Sequence, residues 1–135
     1  MSAHTTEQKA AAIAAVIDTL DRLRVECPWD RKQTNESLRP NTIEEVYELC
    51  QALLNDDTAD IKKELGDVLL HVLFYAKIAE EKEQFDAADV ADALNAKLIY
   101  RHPHIFGDIK ADDAETVTQN LSLIHISEPT RLALI

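Results

Sequence analysis

The segment KKELGDVLLHVLFYA, Lys62 to Ala76, constrains the fold of this chain more than any other stretch. From Leu65 to Ala76 it is almost continuously apolar, which is how a buried segment reads. It sits inside a predicted helix from about Ala59 to Glu83 that is apolar nearly all the way round. One small bundle covers such a helix poorly, so the expectation is a central helix whose burial is completed by a homo-oligomer, a dimer at least. Glu64 and Asp67 stand at the start of the apolar run, one helical turn apart with Gly66 between them. Ionised carboxylates are rarely buried unless they are paired or bound to a metal, so these two need a reason.

The rest of the chain reads as helix too. Only two glycines, Gly66 and Gly107, and four prolines occur in 135 residues. That scarcity of turn formers argues against a many-stranded β fold and excludes a glycine-rich phosphate cradle. Ile13, Val16, Ile17, Leu20 and Leu23 mark a first amphipathic helix from about Thr6 to Glu26, stopped by CPWD because Pro28 disfavours helix in the residue before it. The polar RKQTNESLRPN that follows reads as a loop with one helical turn at most. A second helix is expected from Thr42, where TIEE has the capping-box pattern, to about Leu54. After the long third helix, Asp86 is the expected N-cap of a fourth that runs to about Arg101. A short polar helix is expected over 111–120. Four helices joined by short connections predict an all-α, four-helix-bundle-like domain over 1–121. The apolar tail 122–135 has no clear periodicity and is expected to be non-native or unstructured, outside that domain.

The balance of charge narrows the function classes. A formal net charge of −11 disfavours a nucleic-acid partner, which a basic face would normally meet. No stretch approaches a membrane span and no signal peptide is visible, so a cytoplasmic protein is expected. Cys27 and Cys50 fall in no metal or redox spacing and read as reduced thiols, although two cysteines can in principle pair.

The carboxylates carry the chemistry. At about 100° per residue, Glu45 and Glu48 of EEVYE share a sector about 60° wide, with Glu44 on the other side of Glu48. Glu64 and Asp67 share a face of the next helix, and His71 extends it by one turn. Fifteen residues lie between Glu48 and Glu64, a separation that favours antiparallel neighbours and brings the two E-x-x-[ED] pairs face to face. Four converging carboxylates repel one another unless cations lie between them. An all-oxygen set with at most one histidine selects hard ions, Mg²⁺ or Mn²⁺, over Zn²⁺. The glycine inside the helix, costing about 1 kcal/mol relative to alanine, is consistent with a close approach there. Spacing alone leaves a second reading open, in which these are solvated acidic faces or acids favoured by the helix dipole. A di-iron bundle is disfavoured, because no Glu is followed three residues later by His.

Lys97, Arg101, His102 and His104 form one local concentration of positive charge, suited either to phosphate oxygens or to a helix C-terminus. Trp29, beside Asp30, suits either stacking on a base or packing.

Taken together, CPWDRKQTNESLRPNTIEEVYEL, KKELGDVLLHVLFYAKIAEE and KLIYRHPHIFGD resemble the MazG nucleotide pyrophosphohydrolase family, in the right order and over most of the chain. The resemblance implies an all-α, dimeric enzyme that uses Mg²⁺, with Mn²⁺ as an alternative, to hydrolyse nucleoside triphosphates to monophosphate and pyrophosphate. It implies a house-cleaning or nucleotide-pool role. It further implies that Glu45, Glu48, Glu64 and Asp67 are metal ligands, with Glu44 as the base or the residue orienting water. Lys97 and Arg101 would then meet the phosphates, and Trp29, Asp30 and His71 the nucleotide. His71 departs from the neutral residue expected there, and one domain stands where familiar full-length members carry two. The alternative is a nucleotide-binding or regulatory bundle of the same fold without turnover.

Overall fold

The computed structural model describes residues 3–107, and these are entirely helix and connecting turns. Six helices follow in order: α1 (Thr6–Glu26), α2 (Pro28–Lys32), α3 (Asn35–Leu54), α4 (Thr58–Glu81), α5 (Ala87–Arg101) and α6 (Pro103–Phe106). The chain divides into two compact units, Met1–Ala87 and Ala88–Ile135. The helix expected over 111–120 and the tail 122–135 lie outside the described residues.

In the first unit each helix boundary has a local cause. Thr5 opens α1 with a capping box closed by Gln8. Cys27, the residue before Pro28, is extended (φ −96°, ψ 121°) and ends α1, while Pro28 occupies the first turn of α2, where its missing N–H costs nothing. The stretch read as a loop is therefore mostly helical. α3 begins at Asn35, seven residues before the expected Thr42, because Thr34 and Ser37 form the capping box that TIEE was expected to supply. Pro40 lies inside α3 and lacks the N–H that would donate to the Glu36 carbonyl. Thr42 is thereby an interior residue, its hydroxyl donating back to the Leu38 carbonyl (3.1 Å).

α3 and α4 both stop without glycine. Asp56 (φ 52°) and Glu83 (φ 57°) adopt the left-handed conformation just past each helix. In both cases the amide of that residue and of the next one bond back to the last turn, Asp56 to Leu53 and Asp57 to Ala52, Glu83 to Glu80 and Gln84 to Ala79. Such a conformation costs a non-glycine residue roughly 1–2 kcal/mol. The Asp57 side chain then caps α4 through the Asp60 amide.

Leu20, Leu38, Leu73, Phe74 and Ile78 form the buried core, with Ile17, Leu69, Tyr75 and Ala87 packed against it. α3 meets α4 most extensively. Thr42 meets His71 and Tyr75, whereas Glu48 lies beside Glu64, so the two helices run antiparallel as their spacing predicts. α1 runs in the same direction as α4: Asp21 pairs with Lys77 (3.2 Å) and Arg24 with Glu81 (2.8 Å). Arg24 is the keystone of this end. Its Nε and Nη2 grip both Glu81 oxygens, Nη1 donates to the carbonyls of Asp30, Arg31 and Gln33, and the guanidinium lies 5.6 Å from the Phe74 ring centre. One arginine thus ties α2 and the entry to α3 onto α4.

The all-round apolar character of α4 is borne out by its surface. Leu73, Phe74, Ala76, Ile78 and Ala79 are buried, yet Leu65, Leu70 and Val72 are exposed. Gly66 differs from expectation: a Cβ built on it meets nothing within 4 Å among the described residues. No close approach among the described residues accounts for the glycine.

Candidate metal centre and its surroundings

The antiparallel α3–α4 pair delivers three carboxylates to one place. Glu45 and Glu48, one turn apart on α3, face Glu64 on α4, and ligand atoms from all three lie within 4.8 Å of one another. Glu64 is 4% exposed, Glu45 is half-buried and Glu48 is exposed. The oxygens Glu45 Oε2 and Glu64 Oε2 are buried and have no hydrogen-bond partner among the described residues. An unpartnered buried carboxylate oxygen is costly, and three carboxylates this close repel one another as well. Burial, then Glu48, Asp67 and Glu64 in turn, push the Glu45 carboxyl above its ordinary range.

Asp67, expected as the fourth acid, stands outside the group of three. It lies one turn beyond Glu64 and contributes to the field on Glu45. The cation nearest these acids is one the sequence reading missed. Lys63 Nζ is 3.1 Å from Glu64 Oε1 and 3.8 Å from Asp67 Oδ2. Its hydrogen bond to Glu64 raises its pKa above the usual lysine value. Lys63 is exposed and reaches only one Glu64 oxygen, so the other stays orphaned. Glu44 is exposed and outside the cluster.

The donor set fits a hard divalent cation. It is all oxygen, two of its oxygens are buried and unpartnered, and Glu48 gives it an open side. A cation there would satisfy the orphan oxygens and remove the mutual repulsion.

Further along the same helix pair, His71 is half-buried and its Nδ1 lies 2.5 Å from Thr42 Oγ1. Thr42 Oγ1 also meets the Tyr75 hydroxyl, and the Tyr75 ring stands edge-on to His71 with centroids 6.3 Å apart. Burial pushes the His71 imidazole below the ordinary histidine value, with Asp67 opposing. From sequence Thr42 is expected only as a helix cap, and Tyr75 is not singled out. Starting α3 at Thr34 would have placed Thr42 mid-helix, and Tyr75 is one turn past His71 on the same face.

Trp29 is 57% exposed on α2, and Asp30 beside it gives its carbonyl to Arg24. Lys97 and Arg101 belong to the second unit, one turn apart on α5, Lys97 half-buried and Arg101 1% exposed. His102 closes that unit's helix through Nδ1, 2.7 Å from the Leu98 carbonyl, with the His104 ring tilted beside it, centroids 5.5 Å apart. No helix among the described residues is long and apolar enough to cross a membrane.

Comparison with known proteins identifies the family. Residues 33–106, more than half of the chain, match the MazG nucleotide pyrophosphohydrolase domain. A nucleoside triphosphate pyrophosphohydrolase/pyrophosphatase MazG of Thermotoga maritima is 52% identical over 95 residues, 69% of this chain and 37% of that protein. A nucleoside triphosphate pyrophosphohydrolase of Escherichia coli K12 is 40% identical over 107 residues, 79% of this chain and 41% of that protein. The chain thus spans less than half the length of these relatives. The crystal structure of a MazG-related protein from Thermotoga maritima superposes with a TM-score of 0.70 at 24% identity, covering 82% of this chain and 96% of that one, a likeness of fold. By sequence match over most of its described helices, the chain belongs to the MazG nucleotide pyrophosphohydrolase domain family.

Proposed function

We propose that this domain hydrolyses nucleoside triphosphates, ribo- or deoxyribo-, to the monophosphate and pyrophosphate, with Mg²⁺ held by Glu45, Glu48 and Glu64 and completed by Asp67. Mn²⁺ is the alternative ion. The observation that carries the reading is the pair of buried, unpartnered oxygens on Glu45 and Glu64 inside a three-glutamate cluster, in a member of this family. Relatives named for the same activity support it.

Water adds at the α–β phosphoanhydride, the bridging P–O bond breaks, and pyrophosphate leaves. Glu45, Glu48, Glu64 and Asp67 would hold the Mg²⁺, which would supply positive charge to the triphosphate and make water a better nucleophile. The residues of the chain do the rest. Glu64, buried and fixed by its place on α4, gives a rigid anchor, while exposed Glu48 leaves the open side to the phosphates. Lys63, already beside Glu64 and Asp67, is free to turn toward phosphate oxygens when a divalent ion takes over those acids. Glu44 is the candidate for orienting water. Lys97 and Arg101 are candidates for the phosphates, and Trp29, Asp30 and His71 for the nucleoside.

A homodimer or higher homo-oligomer completes the picture, supported by the exposed apolar side chains of α4 and by Ile43, Val46 and Tyr47 on α3. A role in clearing or balancing a cytoplasmic nucleotide pool, without nucleic acid or membrane, is the matching biology. The test is a panel of the common NTPs and dNTPs with Mg²⁺, read for pyrophosphate against orthophosphate. Pyrophosphate is expected; orthophosphate as the sole product overturns the assignment.

A further inference from the structure

Thr42 Oγ1 has three neighbours, and counting its one proton decides what His71 can do. The neighbours are the Leu38 carbonyl (3.1 Å), His71 Nδ1 (2.5 Å) and the Tyr75 hydroxyl. A hydroxyl donates once and accepts twice. The Leu38 carbonyl can only accept, so the Thr42 proton goes there. Thr42 must then accept from both other neighbours, so Tyr75 donates its O–H and His71 donates from Nδ1. Any other assignment leaves one contact facing two acceptors. The neutral imidazole is therefore the Nδ1–H tautomer, and its lone pair sits on Nε2. Nε2 makes no hydrogen bond among the described residues.

The placement of His71 says what that lone pair is for. At 1.5 Å per residue, His71 lies about 10 Å along α4 from Glu64, too far to share an ion with the glutamate cluster but about the span from a phosphate chain to its nucleoside. We propose that Thr42 and Tyr75 are positioning residues that hold His71 in the Nδ1–H tautomer, so that Nε2 accepts a hydrogen bond from a donor on the nucleoside. This rests on the nucleotide reading above. The donor is a sugar hydroxyl or an exocyclic amine.

Two measurements test it. Nitrogen-15 NMR of the imidazole in the free protein reads the tautomer directly. Wild type and Thr42→Ser should show protonated Nδ1 and bare Nε2, and Thr42→Val should lose that preference. Calorimetry with the α,β-methylene analogues of ATP, ITP and 2′,3′-dideoxy-ATP, with Mg²⁺, reads recognition without turnover. Thr42→Val should weaken the ATP analogue about three- to tenfold, the worth of one hydrogen bond, with Thr42→Ser close to wild type. Loss of that effect with the inosine analogue identifies the amine, and with the dideoxy analogue the hydroxyl.

An Nε2–H tautomer in wild type overturns the inference. So does unchanged affinity for all three analogues in Thr42→Val, or weakened Mn²⁺ binding in that variant without nucleotide, which would make His71 a metal ligand. Pyrophosphate release is scored separately. A protein that binds the analogues as described but hydrolyses no NTP would lose the enzymatic reading and keep this one.

Discussion

Two regions of the first unit hold charge away from water, and they treat it in opposite ways. Arg24, 12% exposed at its side chain, has every arm occupied: two oxygens of Glu81, three backbone carbonyls and an aromatic face. Glu64, more deeply buried, has one oxygen held by an exposed lysine and the other by nothing among the described residues, with two more glutamates close by. The first arrangement is complete within the chain and stabilises the fold. The second is incomplete and costs stability until something positive arrives. A sequence kept for folding alone would not place three carboxylates there.

The largest expected effect breaks the incomplete region. Glu64→Gln and Glu48→Gln should each lower kcat for pyrophosphate release by about 10²–10³-fold, the scale of losing one electrostatic contact to developing charge. Folding should respond the other way. Without Mg²⁺ at neutral pH, Glu64→Gln should unfold at higher urea than wild type, and the gap should close as Mg²⁺ is added, because only wild type gains from binding. A Glu64→Gln protein less stable than wild type without Mg²⁺ would place Glu64 with Arg24 as a structural charge.

Next in size is the complete region. Arg24→Met should cost about 2–3 kcal/mol in urea unfolding, toward the low end of what breaking a buried pair costs because Glu81 is partly solvated. Arg24→Lys should recover little of it, since an ammonium cannot span Glu81 and three carbonyls at once. Full stability in Arg24→Met would remove the keystone role.

The pH dependence of the two regions should differ in sign. Arg24 holds Glu81 below the ordinary carboxylate range, so Glu81 contributes stability that is present above its unfolded value of about 4.5 and is lost as pH falls through the lowered folded value. Glu45 is raised, so the folded state takes up its proton first. Its ionised form destabilises the fold at neutral pH, and that penalty is relieved as pH falls through the raised value toward about 4.5. Glu81→Gln should therefore be destabilising at pH 7 and neutral in strong acid. Glu45→Gln should be stabilising at pH 7 and neutral near pH 4. Matching signs in the two variants would contradict the distinction drawn between the regions.

The smallest effect concerns the face of α4 beside the cluster. A Cβ on Gly66 meets nothing within 4 Å among the described residues, so Gly66→Ala should stabilise the monomer by up to about 1 kcal/mol through helix propensity. If a second copy covers that face closely, the same change should instead weaken the oligomer. Thermal unfolding across protein concentration separates the two.

How much of this was legible beforehand follows the same contrast. α1 and α5 fall where periodicity and the CPWD and Asp86 signals put them, and α4 within two residues at each end, because these depend on local pattern. The start of α3 was missed because Pro40 and a polar run read as loop. The deciding cap, Thr34 with Ser37, uses a serine where glutamate or glutamine was sought. The acidic pairs were legible because i, i+3 spacing puts carboxylates on one face regardless of tertiary detail. Their exact membership was not: whether Asp67 joins Glu64 at the cluster depends on how α4 turns against α3. Lys63, Thr42 and Tyr75 gain meaning only from partners across the helix pair, or, for Lys63, from the side chain doubling back onto its neighbour. Arg24 was not legible either, because its partners, Glu81 and Phe74 of α4 and the carbonyls of Asp30, Arg31 and Gln33, lie in other segments of the chain.

The central claim is that the Glu45–Glu48–Glu64 cluster holds a divalent ion for triphosphate hydrolysis. The most direct measurement is Mn²⁺ binding followed by electron paramagnetic resonance, on wild type and Glu64→Gln, alongside pyrophosphate release from the same samples. The account predicts that wild type binds Mn²⁺ and releases pyrophosphate with the monophosphate, and that Glu64→Gln loses both while remaining folded. Pyrophosphate release at wild-type rate by a Glu64→Gln protein that binds no Mn²⁺ would contradict it.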